Sequence, residues 1–154
     1  MARIRTDGAF GAELTIDGLE ATRNGLDELE PSLRRKLDRD LKSTVGTVAE
    51  AASREVDTRS PSSGTAAGYR VERRRSGFRI VNKTRGAAIL EFAAIPHCPQ
   101  GAALIGTLNE KYGRPGRIMW GSWDALEPYV LDRVRQIVED AEFELERRLA
   151  GVAA

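Results

Sequence analysis

Residues 31–56, PSLRRKLDRDLKSTVGTVAEAASREV, decide the fold, because they contain the clearest helical pattern in the chain. Proline is tolerated at the first position of a helix, so Pro31 predicts where this helix begins. At 1.5 Å per residue the helix is roughly 39 Å long, more than a compact domain of this size can cover. We therefore expect part of its apolar stripe to face another subunit. The stripe recurs at steps of three or four residues and consists of Leu33, Leu37, Leu41, Val45, Val48, Ala52 and Val56.

Shorter elements precede the long helix. Residues 12–16 have the character of a strand. Asp17 offers a side-chain oxygen that can cap a helix starting at Leu19, and Gly25 limits that helix. The segment 17–56 is therefore predicted to be a helical region.

The segment 66–93 predicts an antiparallel sheet. Apolar and polar residues mostly alternate in 69–73 and 78–82, and residues 75–77 supply the turn between these two strands. A third run, 87–93, is predicted to be a further strand, with Ile89 and Glu91 on one side and Leu90 and Phe92 on the other.

The rest of the chain predicts a loop and a helix. Residues 94–121 are rich in glycine and proline and predict a long loop, with at most a short helix around 102–112. Residues 122–150 predict a C-terminal helix, whose start could be shifted a few residues later by Pro128. We expect a single α+β domain, 1–154, in which a small antiparallel sheet of three or four strands packs against a long N-terminal helix and a C-terminal helix.

Composition excludes several classes of protein. No apolar run approaches the roughly 20 residues of a membrane-spanning helix, and the first residues lack the apolar segment of a secretory signal, so we expect a protein of the cytosol with no membrane partner. The single cysteine cannot form an internal disulfide or supply the paired cysteines of a structural zinc site. The net charge of +1 argues against a general nucleic-acid binder.

The charge is nevertheless unevenly distributed along the chain. Residues 57–85 contain eight basic and two acidic residues, whereas residues 120–150 contain four basic and eight acidic residues. Two patches of opposite sign, +6 and −4, are therefore predicted on one small domain.

The residue types that most often carry chemistry do not form a catalytic pattern. His97 and Cys98 are the only histidine and cysteine, and as neighbours in an extended segment they point to opposite sides. A metal site there would need carboxylates for all its other ligands. We predict no catalytic residue, no metal and no cofactor.

Several residues are instead candidates for interaction. Glu91 lies in an apolar run, where an ion pair with an arginine of the basic hairpin is favoured over catalysis. The two tryptophans before the last helix are typical of core or interface anchors. The loop 96–117 is a further interaction element. The candidate interaction residues are Arg73, Arg74, Arg75, Arg79, Glu91, Trp120 and Trp123.

The order of these parts resembles the gene-ten-like minor tail protein family of long-tailed bacteriophages, from about Asp17 to Leu149. Residues 87–92, AAILEF, resemble the family's strand Tyr-Ala-x-x-x-Glu-Phe-Gly, although Ala93 replaces its glycine. Residues 58–65, TRSPSSGT, keep the residue types of the family's Pro and Thr-Gly loop in a different order. Residues 117–123, RIMWGSW, are similar to its proline-and-aromatic approach to the last helix.

This resemblance implies a structural virion protein of the phage neck, not an enzyme. Such a protein completes or terminates the tail and joins it to the head connector as a homo-oligomeric ring, with six copies expected from tail symmetry. Its partners would be further copies of itself, the tail tube protein and the head connector or stopper protein, with genome DNA passing through the lumen without sequence-specific binding. It would be located in the upper tail or neck of the virion, and in the host cytoplasm during assembly.

Three alternatives remain open. The protein could be a capsid-side head-to-tail adaptor or stopper. It could be a small nucleic-acid-binding domain that places the basic hairpin on phosphates, in which case binding would weaken steeply with salt. An enzyme built on Glu91 and His97 is a third alternative, with no evident substrate.

Overall fold

The computed structural model describes residues 2–7, 11–59, 65, 67–94 and 99–152. Two hairpins and five helices are present in these ranges. In chain order the elements are β1 (Ala2–Asp7), β2 (Gly11–Ile16), α1 (Leu19–Leu29), α2 (Pro31–Arg59), β3 (Tyr69–Arg73), β4 (Gly77–Asn82), α3 (Arg85–Phe92), α4 (Pro99–Tyr112) and α5 (Met119–Val152).

The strands form one antiparallel sheet in the order β1-β2-β4-β3. β2 pairs with β4 in a register that sets Leu14 opposite Phe78. Gly77 fixes this register, because a Cβ at that position would lie 1.8 Å from the carbonyl oxygen of Leu14. The predicted α+β class with a small antiparallel sheet is confirmed, and β1 is an additional strand that the sequence did not predict.

Helix α2 is the centre of the molecule, with the sheet on one side and α5 along the other. The two helices are antiparallel: Arg148, near the end of α5, pairs with Glu30 just before α2, and Ile118, at the other end, packs on Val56. Every residue of the α2 stripe is buried within the chain. The expectation that part of this stripe faces another subunit is therefore wrong. α5 is about 51 Å long and covers most of α2, and Leu90, Tyr112 and Ile118 cover its last turns.

The strand predicted for residues 87–93 is wrong, because residues 85–92 form helix α3. Among the side chains of this run whose burial the structure describes, Ala87, Leu90 and Glu91 are buried, at steps of three and one, whereas Ile89 is exposed. That pattern belongs to a helix with one buried face. A short apolar run can fit the two-residue period of a strand or the 3.6-residue period of a helix. The alanines of this run favour the helix.

The long loop predicted for residues 94–121 is also wrong over most of its length. Residues 99–112 form α4, which is longer than the short helix expected around 102–112, and a turn connects it to α5. In that turn Gly116 has φ +87°, a left-handed conformation that side chains with a Cβ disfavour.

Two helix boundaries differ from those expected. α1 continues past Gly25 to Leu29, and its N-cap residue is Gly18 rather than Asp17. α5 begins at Met119, three residues before the predicted start, and contains Pro128 in its interior. The long helix 31–56 is confirmed and continues to Arg59.

Candidate functional site

The most buried polar cluster in the described residues forms where three helix ends meet. Glu91, at the C-terminal turn of α3, is only 2% exposed. Its carboxylate accepts hydrogen bonds from the backbone N–H groups of Ile118 and Met119, both at 3.0 Å, and from the hydroxyl of Tyr69. Glu91 therefore caps the N-terminus of α5. The expected ion pair between Glu91 and an arginine of the basic hairpin is wrong, since the hairpin residue that binds Glu91 is a tyrosine.

Arg117 is the positive counterpart of Glu91 and is 7% exposed. Its guanidinium donates to the carbonyl oxygens of Leu90 (3.0 Å), Ala93 (2.6 Å) and Gly113 (3.0 Å) and to the side-chain oxygen of Asn109 (2.7 Å). These acceptors lie at the C-terminal ends of α3 and α4. One side chain thus ties together the last turns of two helices.

The two charges complement the helix dipoles. A helix N-terminus carries partial positive charge and a C-terminus partial negative charge. Glu91 lies at an N-terminus and Arg117 at two C-termini, so each charge is placed where the helix backbone stabilises it. We call Tyr69, Glu91, Asn109 and Arg117, with the helix ends that they bind, the helix joint.

Burial changes the ionisation of two groups in the helix joint. Burial first, and then the charge of Glu91, raise the pKa of the Tyr69 hydroxyl well above its ordinary value, so this group remains a proton donor. Burial lowers the pKa of Arg117, and the charge of Glu91 opposes that shift. The carboxylate has three donors and almost no exposure, which leaves it no access to a substrate. The geometry is that of a structural joint.

The turn of the basic hairpin, which connects β3 to β4, lies at the opposite end of β3 from Tyr69 and the helix joint. Its candidate residues pair with nearby acids: Arg73 with Asp38 at 3.4 Å, Arg74 with Glu72 at 3.9 Å, and Arg75 with Glu20 at 3.0 Å. Arg75 is 86% exposed, as expected for a hairpin tip. Ion pairs this exposed contribute at most about 1 kcal/mol each, so the charges remain available to a partner.

A buried arginine that the sequence did not single out holds the hairpin turn in place. Arg23 of α1 donates from Nη1 to the carbonyl oxygens of Arg74 (2.9 Å) and Arg75 (2.8 Å), and from Nε to Asp38 (2.6 Å). Its guanidinium carbon also lies 5.2 Å from the centre of the Phe78 ring. The exposed charges of the turn are thus presented on a backbone fixed from inside.

The remaining candidates have structural positions. Arg79 lies in β4 directly opposite Glu72 of β3. Trp123 is buried in the main core, and Trp120 packs against it, partly buried. The structure therefore brings Arg73, Arg74 and Arg75 together at one turn and places Glu91 and the tryptophans elsewhere.

Two classes of site receive no support. His97 and Cys98 lie outside the described residues, and so does the beginning of the interaction loop 96–117. Within the described ranges, no group of three or more His, Cys, Asp and Glu side chains is placed to hold a metal ion. In the same part of the chain, no helix combines the length and apolarity needed to cross a membrane.

Sequence reasoning identified Glu91 but missed Arg117 and Arg23. The hydrogen-bond partners of Arg117 lie 4 to 27 residues away, and those of Arg23 lie 15 to 52 residues away. No local pattern indicates contacts at such separations. The one available signal was the isolated position of each arginine beside predicted helix ends.

Comparisons of the chain with protein-family models, with curated proteins and with solved structures found no match. The function therefore has to be inferred from the residues and geometry of this chain.

Proposed function

We propose that this protein is a structural component of the bacteriophage neck, which completes or terminates the tail and joins it to the head connector as a ring. In this role it is not an enzyme. Its partners are other copies of itself, the tail tube protein and the connector or stopper protein, and it is located in the virion. Six copies per ring would match the symmetry of the tail.

The observation that carries this proposal is the exposed apolar surface of α4. Ala102, Ala103 and Leu104 are all exposed, and within α4 only Tyr112 is fully buried. Ile89 of the preceding helix is exposed as well. A soluble monomer rarely leaves a helix of this composition uncovered, so the surface favours a protein partner.

The attachment of α4 supports the same role. Leu108 and Tyr112 pack on the second core cluster, and Arg117 binds the carbonyl of Gly113 and the side chain of Asn109. These contacts all lie in the second half of the helix or just beyond it. The first half therefore projects from a rigid joint, as expected of an element that binds a neighbour.

The helix joint also favours a structural role over catalysis. Both of its charged groups are buried and bound to helix ends, so neither is available to a reacting molecule. The short helix, the long helix, the antiparallel hairpin and the C-terminal helix follow the order of the tail protein family that the sequence resembles, whereas the Ala-Ala-x-x-Glu-Phe run and most of the Gly/Pro-rich segment are helical here.

Light scattering and co-sedimentation with phage tails test the proposal. The protein is mixed with purified tails that lack their upper end, and we expect it to bind there as a ring. Leu104→Glu should abolish binding because it places a charge in the apolar surface of α4. Glu110→Lys, at an exposed position in the second, attached half of the same helix, is the matched control.

Two outcomes would decide against this role, and a third would decide against the proposed contact. Binding to head connectors but not to tails would indicate the capsid-side adaptor instead. Binding to DNA alone, with an affinity that falls log-linearly with salt concentration, would indicate a small nucleic-acid-binding domain. Normal tail binding by Leu104→Glu would show that α4 is not the contact.

A further inference from the structure

The C-terminal half of α5 carries an exposed aromatic side chain among carboxylates. Phe143 is 68% exposed. The neighbouring acids are exposed too and have no ion pair with any other described residue, whereas Glu144 pairs with Arg147 and Arg148. We call this surface the acidic ridge; it consists of Glu139, Asp140, Glu142, Phe143 and Glu146.

A surface of opposite character lies between α2 and the edge strand β3. It is an open groove of about 670 Å³, which exists because Ser43 and Gly46 of α2 have small side chains. Val71 is the partly exposed apolar residue of its lining, above a floor formed by the almost fully buried Ala49 and Phe78. Four basic residues and one acidic residue also line it. We call this surface the basic groove, and its charged residues are Arg39, Lys42, Arg70, Arg73 and Asp38.

The cations of the groove are only weakly engaged within the chain. Lys42 has no ion pair with another residue in the described part of the chain. Arg70 lies 3.7 Å from Glu72 and Arg39 lies 3.4 Å from Asp40, both in exposed pairs. Pairs of this kind hold a side chain loosely and can be exchanged for a partner's carboxylates.

The ridge and the groove cannot meet within one chain. Ala141 and Leu145 of α5 pack into the main core, and Phe143, two residues from each, points away from it. The groove opens on the side of α2 that faces the sheet, whereas α5 lies along another side of α2. Any contact between these surfaces therefore joins two copies.

We propose that the acidic ridge of one copy docks in the basic groove of the next, with Phe143 on the apolar lining and the four carboxylates against the basic residues. Because two different surfaces meet, the contact is head-to-tail and generates either a closed ring or an open chain. This inference rests on the proposed function, for which it names the contact between subunits.

Nucleic acid is a less suitable occupant of the groove. A phosphate group would satisfy the basic residues but offers no apolar surface to Val71, the lining residue that is partly exposed. It would also leave the acidic ridge without a partner. A second copy satisfies both surfaces at once, in charge and in apolar contact.

Two complementary variants of the full chain test this contact. The groove variant, Lys42→Glu with Arg70→Glu, keeps an intact ridge, and the ridge variant, Glu142→Ala with Phe143→Ala, keeps an intact groove. We expect the mass of the unmodified protein, measured by light scattering, to rise with concentration. Each variant alone should remain monomeric, with association weakened about 30-fold or more.

The decisive sample is the equimolar mixture of the two variants. In this mixture, the groove variant still has its acidic ridge, which can dock in the intact basic groove of the ridge variant. The other two surfaces of this pair are both mutated, so no third copy can be added. The mixture should therefore stop at a dimer. Asp124→Ala, which removes an exposed acid from the other end of α5, is the control and should associate like the unmodified protein.

Several results would overturn the inference. These are an unmodified protein that stays monomeric at every concentration, variants that associate normally, or a mixture that forms no dimer. Duplex DNA binding that is lost in the groove variant, in a protein that stays monomeric, would assign the groove to phosphates. Association through these surfaces without binding to tails would support the contact and count only against the role in the phage neck.

Discussion

The helix joint and the basic hairpin both depend on arginine and glutamate side chains, but they use them in opposite ways. In the joint, Glu91 and Arg117 are buried and almost every partner is a backbone group of a helix end. In the hairpin, Arg73, Arg74 and Arg75 are exposed and their partners are other side chains.

This difference shows where charge stabilises the fold and where it serves recognition. A buried charge with several fixed partners is costly to disturb, because its removal leaves those partners unsatisfied. An exposed pair is worth little to stability and can be exchanged for a partner's charges. The cluster of arginines that stands out in the sequence should therefore contribute least to stability.

The largest effect should come from Glu91→Ala. This change leaves the N–H groups of Ile118 and Met119 without their acceptor and leaves Arg117 buried without a compensating charge. We expect the free energy of unfolding to fall by about 3–5 kcal/mol, measured by urea denaturation. Glu110→Ala, an exposed acid of α4, should change it by less than about 0.5 kcal/mol. Equal losses of stability in Glu91→Ala and Glu110→Ala would contradict the distinction between the buried charges of the helix joint and exposed charges.

Arg117→Lys should have the next largest effect. Lysine keeps the charge but cannot reach four acceptors at two helix ends as a planar guanidinium does. We expect a loss of about 2–3 kcal/mol by the same measurement. Arg135→Lys, an exposed change in α5, is the control. If Arg117→Lys left the free energy of unfolding unchanged, the positive charge alone, without the geometry of the guanidinium, would account for the stability of the helix joint.

Tyr69→Phe tests the joint through pH. Because the folded pKa of Tyr69 is raised, the unfolded chain releases this proton first, and the stability that the group provides is lost as pH rises above about 10. The variant should lose about 1–2 kcal/mol at neutral pH and, lacking this group, should lose stability less steeply than the unmodified protein above about pH 10. Tyr129→Phe, at an exposed tyrosine, should decline like the unmodified protein.

The smallest effect is expected for Arg75→Ala in the hairpin. Its pair with Glu20 is exposed, so the loss should stay below about 0.5 kcal/mol and disappear at high salt. Arg23→Ala removes the buried clamp on the same turn and should cost at least about 2 kcal/mol. Calorimetry of both variants would sharpen the contrast between an exposed and a buried arginine at one location.

The elements that the sequence predicted correctly are those with a long helical pattern or with mostly alternating residues beside a turn. Seven apolar positions define α2 without ambiguity, and partial alternation with the turn at residues 75–77 indicates β3 and β4. Helix α3 was not predicted because its eight residues fit the two-residue period of a strand as well as the 3.6-residue period of a helix. Its packing on Val56 and Ile118 selects the helix.

The candidate site was predictable only in part. An acid in an apolar run drew attention to Glu91, but its partners depend on residues 22 to 28 positions away. The acidic ridge was visible as a charge run, whereas the groove that complements it requires α2 and β3 to be placed side by side. Local pattern reveals charge and periodicity, and tertiary packing decides which charges meet.

Helix α5 also sets a fixed distance between two exposed surfaces of the molecule. It begins at the helix joint, from which α4 projects, and it carries Phe143 about 36 Å further along its axis. A neighbour bound at α4 and a neighbour bound at Phe143 would thus be held at a spacing set by the number of residues between Met119 and Phe143. One inserted residue would change that spacing by only about 1.5 Å but would turn Phe143 by about 100°. The geometry of any assembly built from this chain is therefore encoded in a residue count.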